Sequence, residues 1–308
     1  MLEILNLLKQ YGSLVAVDYL NLKIEKGEMA GLVGPDGAGK TTLMRILSAI
    51  LPPTSGSARV AGYDIIRDAE KLKEKIGYMP QRFGLYEDLT VLENLNFFSE
   101  LYQLSKKQKD EKYKEVFNFS QLEPFKDFLA GNLSGGMKQK LALSCVLLHT
   151  PEVLLLDEPT RGVDPLSRRD FWRILFEQQK RGITIFISTS YMDEAERCQK
   201  VAFLDKGRLI AYGTPKKLKE IMNEFLYEIS CDKTREAKSV LEKVDGISGI
   251  SIFGEKIHFT LREEKLLANI KNKLKDTGVE ILNLRRIEPS LEDIFIFLKQ
   301  DKIEIRNG

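Results

Sequence analysis

Gly34-Pro35-Asp36-Gly37-Ala38-Gly39-Lys40-Thr41-Thr42 is the stretch on which the reading of this chain turns. Gly34 and Gly39 stand five apart and are followed at once by Lys40 and Thr41, the full pattern of a phosphate-binding loop. Glycines let the backbone turn so that successive amide N–H groups point inward at phosphate oxygens, and a helix starting near Gly39 adds the positive end of its dipole. Lys40 has the reach for β and γ phosphates, and the Thr41 hydroxyl is placed for Mg²⁺. Apolar Met29 to Val33 reads as a strand entering the loop and Thr42 to Ile50 as a helix leaving it. A chance lysine beside a glycine-rich turn would not bring that context with it.

A second run says what the phosphates meet. Val153-Leu-Leu-Leu-Asp-Glu-Pro159 reads as a buried parallel strand delivering two acids at its carboxyl end. Asp157 suits Mg²⁺, through water, and Glu158 suits a general base that polarises the attacking water. The plainer alternative is a strand that ends in a turn before Pro159. Between the two runs, Leu133-Ser-Gly-Gly-Met-Lys-Gln-Lys140 precedes an apolar helix through Leu148. Ser134, Gly135 and Gly136 stand at its amino terminus, where a hydroxyl and bare backbone can approach an anion. As an N-cap alone they would need no function.

Taken together, GPDGAGKTT, LSGGM and VLLLDEP resemble the Walker A, signature and Walker B motifs of the ATP-binding cassette (ABC) family, in order and spacing, over about residues 1 to 222. The resemblance implies further roles. Residues 34 to 42 with Ser134, Gly135 and Gly136 would bind ATP. Tyr11 resembles the aromatic that stacks on adenine, with ordinary packing as its alternative. Gln81 resembles the Q-loop glutamine, touching Mg²⁺ and the attacking water, and Asp164 in GVDP the D-loop aspartate. Each ATP would be sandwiched between the Walker motifs of one subunit and the signature of another. A second cassette is therefore implied, and a homodimer is favoured over a heterodimer because nothing in the sequence shows a different one.

One position departs from the pattern. In Ile187-Ser-Thr-Ser-Tyr-Met-Asp-Glu-Ala195, Ser190 stands where the family usually has a histidine that contacts the γ-phosphate. The chain's two histidines, His149 and His258, lie at a helix end and in a separate C-terminal region, and read as surface or packing residues. Serine donates one hydrogen bond from a short side chain, so a water must span the gap. Losing a positioned donor to transferring phosphate costs about 10²-fold or more in rate. The expectation is ATP binding with slow intrinsic turnover at Glu158, Gln81 and Ser190.

Composition agrees with this reading without producing it. The 308 residues, 43% hydrophobic and 30% charged, are globular and enough for two domains. A net charge of +2 gives no reason to invoke nucleic acid. Cys145, Cys198 and Cys231 lack metal spacing and suit a reducing compartment. No segment approaches the roughly 18 apolar residues of a membrane span. The start, with its early acid and no basic lead, is a poor signal peptide.

The expected fold is α/β: a P-loop NTPase cassette with a RecA-like core, an antiparallel sheet and a helical subdomain at about residues 84–150, closed at residue 222. The charge run from Ser105 to Lys112 reads as a solvated helix end. Phe83, Leu85 and Tyr86 are candidates for a groove receiving a permease helix, with internal packing as the alternative. From residue 223 to 308, a β-α-β-β-α-β order and a final helix from Pro289 predict a ferredoxin-like α+β accessory domain without a catalytic cluster. That tail, with Glu288-Pro-Ser-Leu-Glu-Asp-Ile-Phe295 and Tyr191-Met-Asp-Glu-Ala195, resembles cassettes of the ABC-2 exporter group. It implies an ABC-2-type permease as partner and a cytoplasmic position on the membrane's inner face. A regulatory cassette that clamps ATP, a soluble cassette acting on ribosomes or DNA, and a tail used for dimerisation or sensing remain open.

Overall fold

The computed structural model describes residues 1–82 and 84–300. The chain divides into two compact units, Met1–Tyr212 and the segment from Gly213 onward. The sequence placed this boundary ten residues later, after 222. The difference has a packing cause: the short helix Pro215–Lys219 contacts the last helix, Leu291–Gln300, so it goes with the second unit.

In the first unit, β1 (Leu2–Tyr11) and β2 (Leu14–Ile24) form a hairpin, β3 (Met29–Val33) enters the phosphate loop and α1 (Lys40–Leu47) leaves it. After them come β4 (Ser55–Val60), β5 (Tyr63–Asp64), α2 (Ala69–Lys73) and β6 (Ile76–Met79). A helical region follows with α3 (Val91–Leu101), α4 (Lys106–Ser120) and α5 (Gly135–Leu147). The chain then returns through β7 (Val153–Asp157), α6 (Pro165–Lys180), β8 (Thr184–Thr189), α7 (Met192–Ala195), β9 (Lys200–Asp205) and β10 (Arg208–Gly213).

Two sheets result, an antiparallel one in the order β2-β1-β4-β5 and a six-stranded one in the order β10-β9-β3-β8-β7-β6. From β9 to β6 the pairs are parallel. β3, β7 and β8 are buried at every residue. This is why β3 and β7 read as near-continuous apolar runs and not alternating ones. Leu43, Met44, Ile46 and Leu47 of α1 join Leu155 and Phe186 of the sheet in one core with Leu2, Ile4 and Leu7 of the hairpin.

The helical region starts and stops on local signals. Thr90 with Glu93 and Ser105 with Gln108 form capping boxes for α3 and α4. The charge run at 105–112 therefore opens α4, and α3 ends earlier, at Leu101.

The second unit contains α8 (Pro215–Lys219), β11 (Phe225–Cys231), α9 (Thr234–Leu241), β12 (Ile247–Phe253), β13 (Lys256–Leu261), α10 (Leu266–Asp276), β14 (Ile281–Arg286) and α11 (Leu291–Gln300). Its sheet runs β12-β13-β11-β14 with antiparallel pairs, the ferredoxin-like arrangement. Ile229 pairs with both Ile257 and Leu284. Ile229, Ile257, Phe259 and Leu261 share a core with Ala237 and Leu241 of α9 and Ile270 and Leu274 of α10. Among the described residues, no helix is long and apolar enough to cross a membrane.

Candidate nucleotide site

Four parallel strands end on one edge of the sheet, and the residues after them converge. β3 leads into Gly34, β6 to Gln81, β7 into Glu158 and β8 into Ser190. Val33 pairs with Thr189, and Asp157 with Ser188. The loop, the carboxylates and Ser190 thus leave the sheet side by side, where open α/β sheets bind ligands.

The loop's shape is enforced by close approach. A Cβ at Gly34 would lie 2.1 Å from the Leu204 carbonyl oxygen; at Gly39, where φ is +105°, it would lie 2.2 Å from that of Ala16. Neither position admits a side chain. Pro35, Asp36 and Gly37 are exposed, Ala38 is buried, and Thr41 and Thr42 are half-buried. Lys40 Nζ donates to the carbonyls of Gly34 at 2.7 Å and Pro35 at 3.1 Å and pairs with Glu158 Oε1 at 3.0 Å. Lys40 is 5% exposed and Glu158 6%, so the two charges compensate each other away from water. A phosphate entering the loop would compete with Glu158 for that ammonium.

Glu158 has a left-handed backbone, φ +48°, sparsely used by residues with a Cβ. Its N–H is held by the Ser188 carbonyl at 3.1 Å and the Ser188 Oγ at 3.0 Å. Such conformations persist where the surroundings over-determine them. The carboxylate meets three donors: Lys40 on Oε1, and on Oε2 Arg161 Nη1 at 3.0 Å and Gln81 Nε2 at 3.4 Å. Asp157 is fully buried; Ser188 Oγ donates to its Oδ1 at 2.7 Å, while Oδ2 has no hydrogen-bond partner. A buried carboxylate oxygen left without a donor fits a divalent cation or the water such a cation carries.

A second group forms where α5 meets the start of α6. Ser134 caps α5, its Oγ accepting from the Met137 N–H at 3.3 Å. A Cβ at Gly136 would fall 2.3 Å from Ser167 and 3.6 Å from Asp164 Oδ2, whereas one at Gly135 would meet nothing within 4 Å. Asp164 caps α6, accepting from the Ser167 N–H at 2.9 Å, and that backbone bond first of all holds its carboxyl below the usual range.

The remaining expected residues are placed less tellingly. Tyr11 is exposed at the end of β1, with Lys9 Nζ 5.0 Å from its ring centroid. Ser190 is exposed directly after β8. Leu85 is half-buried, and exposed Tyr86 meets Phe97 edge-on at 4.5 Å; Phe83 lies outside the described residues. His149 Nε2 is 2.9 Å from the Ile76 carbonyl, and burial lowers its pKa. His258 Nδ1 is 2.8 Å from Asp293 Oδ1 in the second unit.

Sequence reasoning missed three residues. Ser188 ties both carboxylates to β8, and only the strand register reveals it. Arg161 bridges Glu158 and Asp36; a cation three residues after Glu158 was a visible signal. Buried Glu194 accepts from Thr160, in the loop after β7, and from Thr189, at the end of β8.

A phosphate loop after β3 and an acid pair at the end of β7, on parallel strands separated only by β8, define a P-loop nucleotide-binding fold. The ABC transporter family pattern matches residues 17–161, and that of the DrrA1-3-like ATP-binding protein C-terminal domain matches residues 213–298. The chain is 36% identical to Nod factor export ATP-binding protein I of Cupriavidus metallidurans, covering 96% of each chain. It is 44% identical to the probable multidrug ABC transporter ATP-binding protein YbhF of Escherichia coli over 92% of its own length, and spans about half of that relative, 49%. Among solved structures, the dimeric MJ0796 cassette bound to ADP and Pi superposes with a TM-score of 0.63 at 25% identity, covering 70% of this chain and 98% of that one. The chain belongs to the ABC transporter family, as an ATP-binding cassette with a DrrA-like C-terminal domain.

Proposed function

We propose that this cassette powers export through a separate ABC-2-type permease, working as a homodimer on the cytoplasmic face of a membrane. The names of its relatives, an export protein for Nod factor and a probable multidrug transporter, support the export direction. The DrrA-like tail supports the ABC-2 group. The observation that carries the catalytic reading is the buried contact of Lys40 with Glu158, 3.0 Å apart at the mouth of the phosphate loop.

In this reading the loop amides from Gly34 to Thr42 and Lys40 hold the ATP phosphates, and Tyr11 stacks on adenine. Thr41, Asp157 and Gln81 would hold Mg²⁺; when bound, the ion offsets charge developing on the phosphoryl oxygens. Lys40 turns to phosphate, which frees Glu158 Oε1 to accept a proton from water. Ser134, Gly135 and Gly136, with Asp164, face the nucleotide of the second cassette. The open space at Gly135 supports this, since its own fold does not require glycine there. Closure of two cassettes on ATP moves the permease, and hydrolysis with product release reopens them. Nucleic acid has no part in this cycle.

A second reading, a cassette that clamps ATP and turns over slowly, is favoured by Ser190 alone. Phosphate release by the purified chain across protein concentrations, beside Glu158→Gln, tests both. Turnover per chain that rises with concentration and vanishes in the variant is expected for the homodimer. Equal release by both proteins would refute Glu158 as the base.

A further inference from the structure

Glu158 is bound by more donors than a general base requires. Lys40 belongs to the phosphates and Gln81 is neutral, which leaves Arg161, a residue with no role in the cycle above. It follows Pro159 and Thr160 in the loop between β7 and α6, and its guanidinium spans two loops. Nη1 pairs with Glu158 Oε2 at 3.0 Å, and Nη2 with Asp36 Oδ2 at 3.1 Å. One rigid fork thus joins the residue after β7 to the tip of the phosphate loop.

Stability does not explain the fork. Arg161 is 47% exposed and Asp36 69%, and exposed ion pairs of this kind add little to folding. Orientation does. The Glu158 side chain leaves a left-handed backbone, so Lys40 and Gln81 alone would have to define its direction. Once Lys40 turns to phosphate, Arg161 is the remaining charged contact on the carboxylate among the ion pairs of the described residues. Ser190, at the end of the neighbouring strand, is too short to take over that task.

We propose that Arg161 is a positioning residue for hydrolysis: its fork to Asp36 and Glu158 fixes the general base against the phosphate loop and compensates for serine at position 190. This rests on Glu158 acting as the base. With Oε2 held by Arg161, Oε1 is the oxygen that receives the proton of the attacking water. Arg161 acts through Glu158 and Asp36.

The test is single-turnover conversion of radiolabelled Mg-ATP by excess full-length chain, which reads slow rates, with equilibrium ATP affinity measured alongside. Arg161→Ala is expected to slow conversion about ten- to a hundredfold, the cost of a misplaced reacting group, at unchanged ATP affinity. Arg161→Lys should recover part of the rate, because charge returns without the fork. In the Ser190→His background the loss on Arg161→Ala should shrink to a few-fold. A rate within twofold of the parent, a loss confined to ATP affinity, or the same fold-loss in both backgrounds would overturn the proposal. If the parent converts ATP no faster than Glu158→Gln, it is the assignment of Glu158 that fails, and the role of Arg161 with it.

Discussion

Truncating Glu194 to alanine is expected to destabilise the first unit by several kcal/mol, although the residue touches no expected ligand. Its carboxylate is 0% exposed. Thr160 Oγ1 donates to it at 2.7 Å, Thr189 Oγ1 donates at 2.7 Å, and Arg168 Nε lies 3.5 Å from Oε1. Alanine would strand two hydroxyls and leave Arg168, which is 21% exposed, with its longer 3.9 Å approach to Asp193 and its contact with the Tyr191 ring. An unsatisfied buried polar group costs about 1–3 kcal/mol, and removing one partner of a buried ion pair about 3–5 kcal/mol. The terms overlap, so the expected loss is about 3–5 kcal/mol, against a typical total of about 5–15 kcal/mol. For a unit of this size that corresponds to about 6–20 °C in Tm. Glu194→Gln keeps an acceptor and should lose less than half as much. Urea and thermal unfolding of the three proteins decide it, with turnover measured well below the transition. Thr160 precedes Arg161 and Thr189 precedes Ser190, so turnover should fall even where the variant is folded. An alanine variant within about 1 kcal/mol of the parent, the ordinary effect of a point substitution, would refute the reasoning.

Three further outcomes follow from the geometry. Gly136→Ala should cost about 1–3 kcal/mol, because its Cβ meets Ser167 at 2.3 Å. Gly135→Ala should leave the urea midpoint unchanged yet lower turnover, because only a second cassette's nucleotide approaches it; unchanged turnover would remove Gly135 from the dimer site. Asp64 accepts backbone N–H bonds from Arg67 and Ile66, which hold its carboxyl down at about 2 from an ordinary 3.8. A depressed carboxylate pKa gives stability that is present above the unfolded value and lost as pH falls through the folded one. Urea midpoints of Asp64→Asn should therefore fall less steeply than the parent's between pH 4 and pH 2; parallel acid limbs would contradict this.

What could be read from the sequence was local. Residues 34 to 42 meet four demands of phosphate binding in consecutive positions, and β3 and β7 are apolar runs with no gap. The tail's order was readable for the same reason: β12 and β13 are joined at Gly254, φ +61°, and each helix shows its own periodicity. Distant pairings were not readable. Arg161 meets Asp36 across 125 positions, and Ser188 meets Asp157 across 31, the latter through parallel register alone. The domain boundary failed for the same cause, since α8 is assigned by its contact with α11. The charge run at 105–112 is a solvated helix end, as its polarity implies, and the capping pair Ser105 and Gln108 makes it the start of α4.

The same distinction explains why Ser190 alone gives an incomplete view of turnover. In sequence it is a donor lost from one position, and the loss has a fixed sign. In space, β8 lies beside β7, and the Glu158 carboxylate is held by a cation on the loop after β7. A donor missing on one strand and a fork present after the next act on one reaction centre. Their effects on rate therefore need not add, as is usual for residues that share a partner. The cost of serine at 190 is set by what else holds Glu158, and the fork from Arg161 to Asp36 makes that cost smaller than the substitution alone implies.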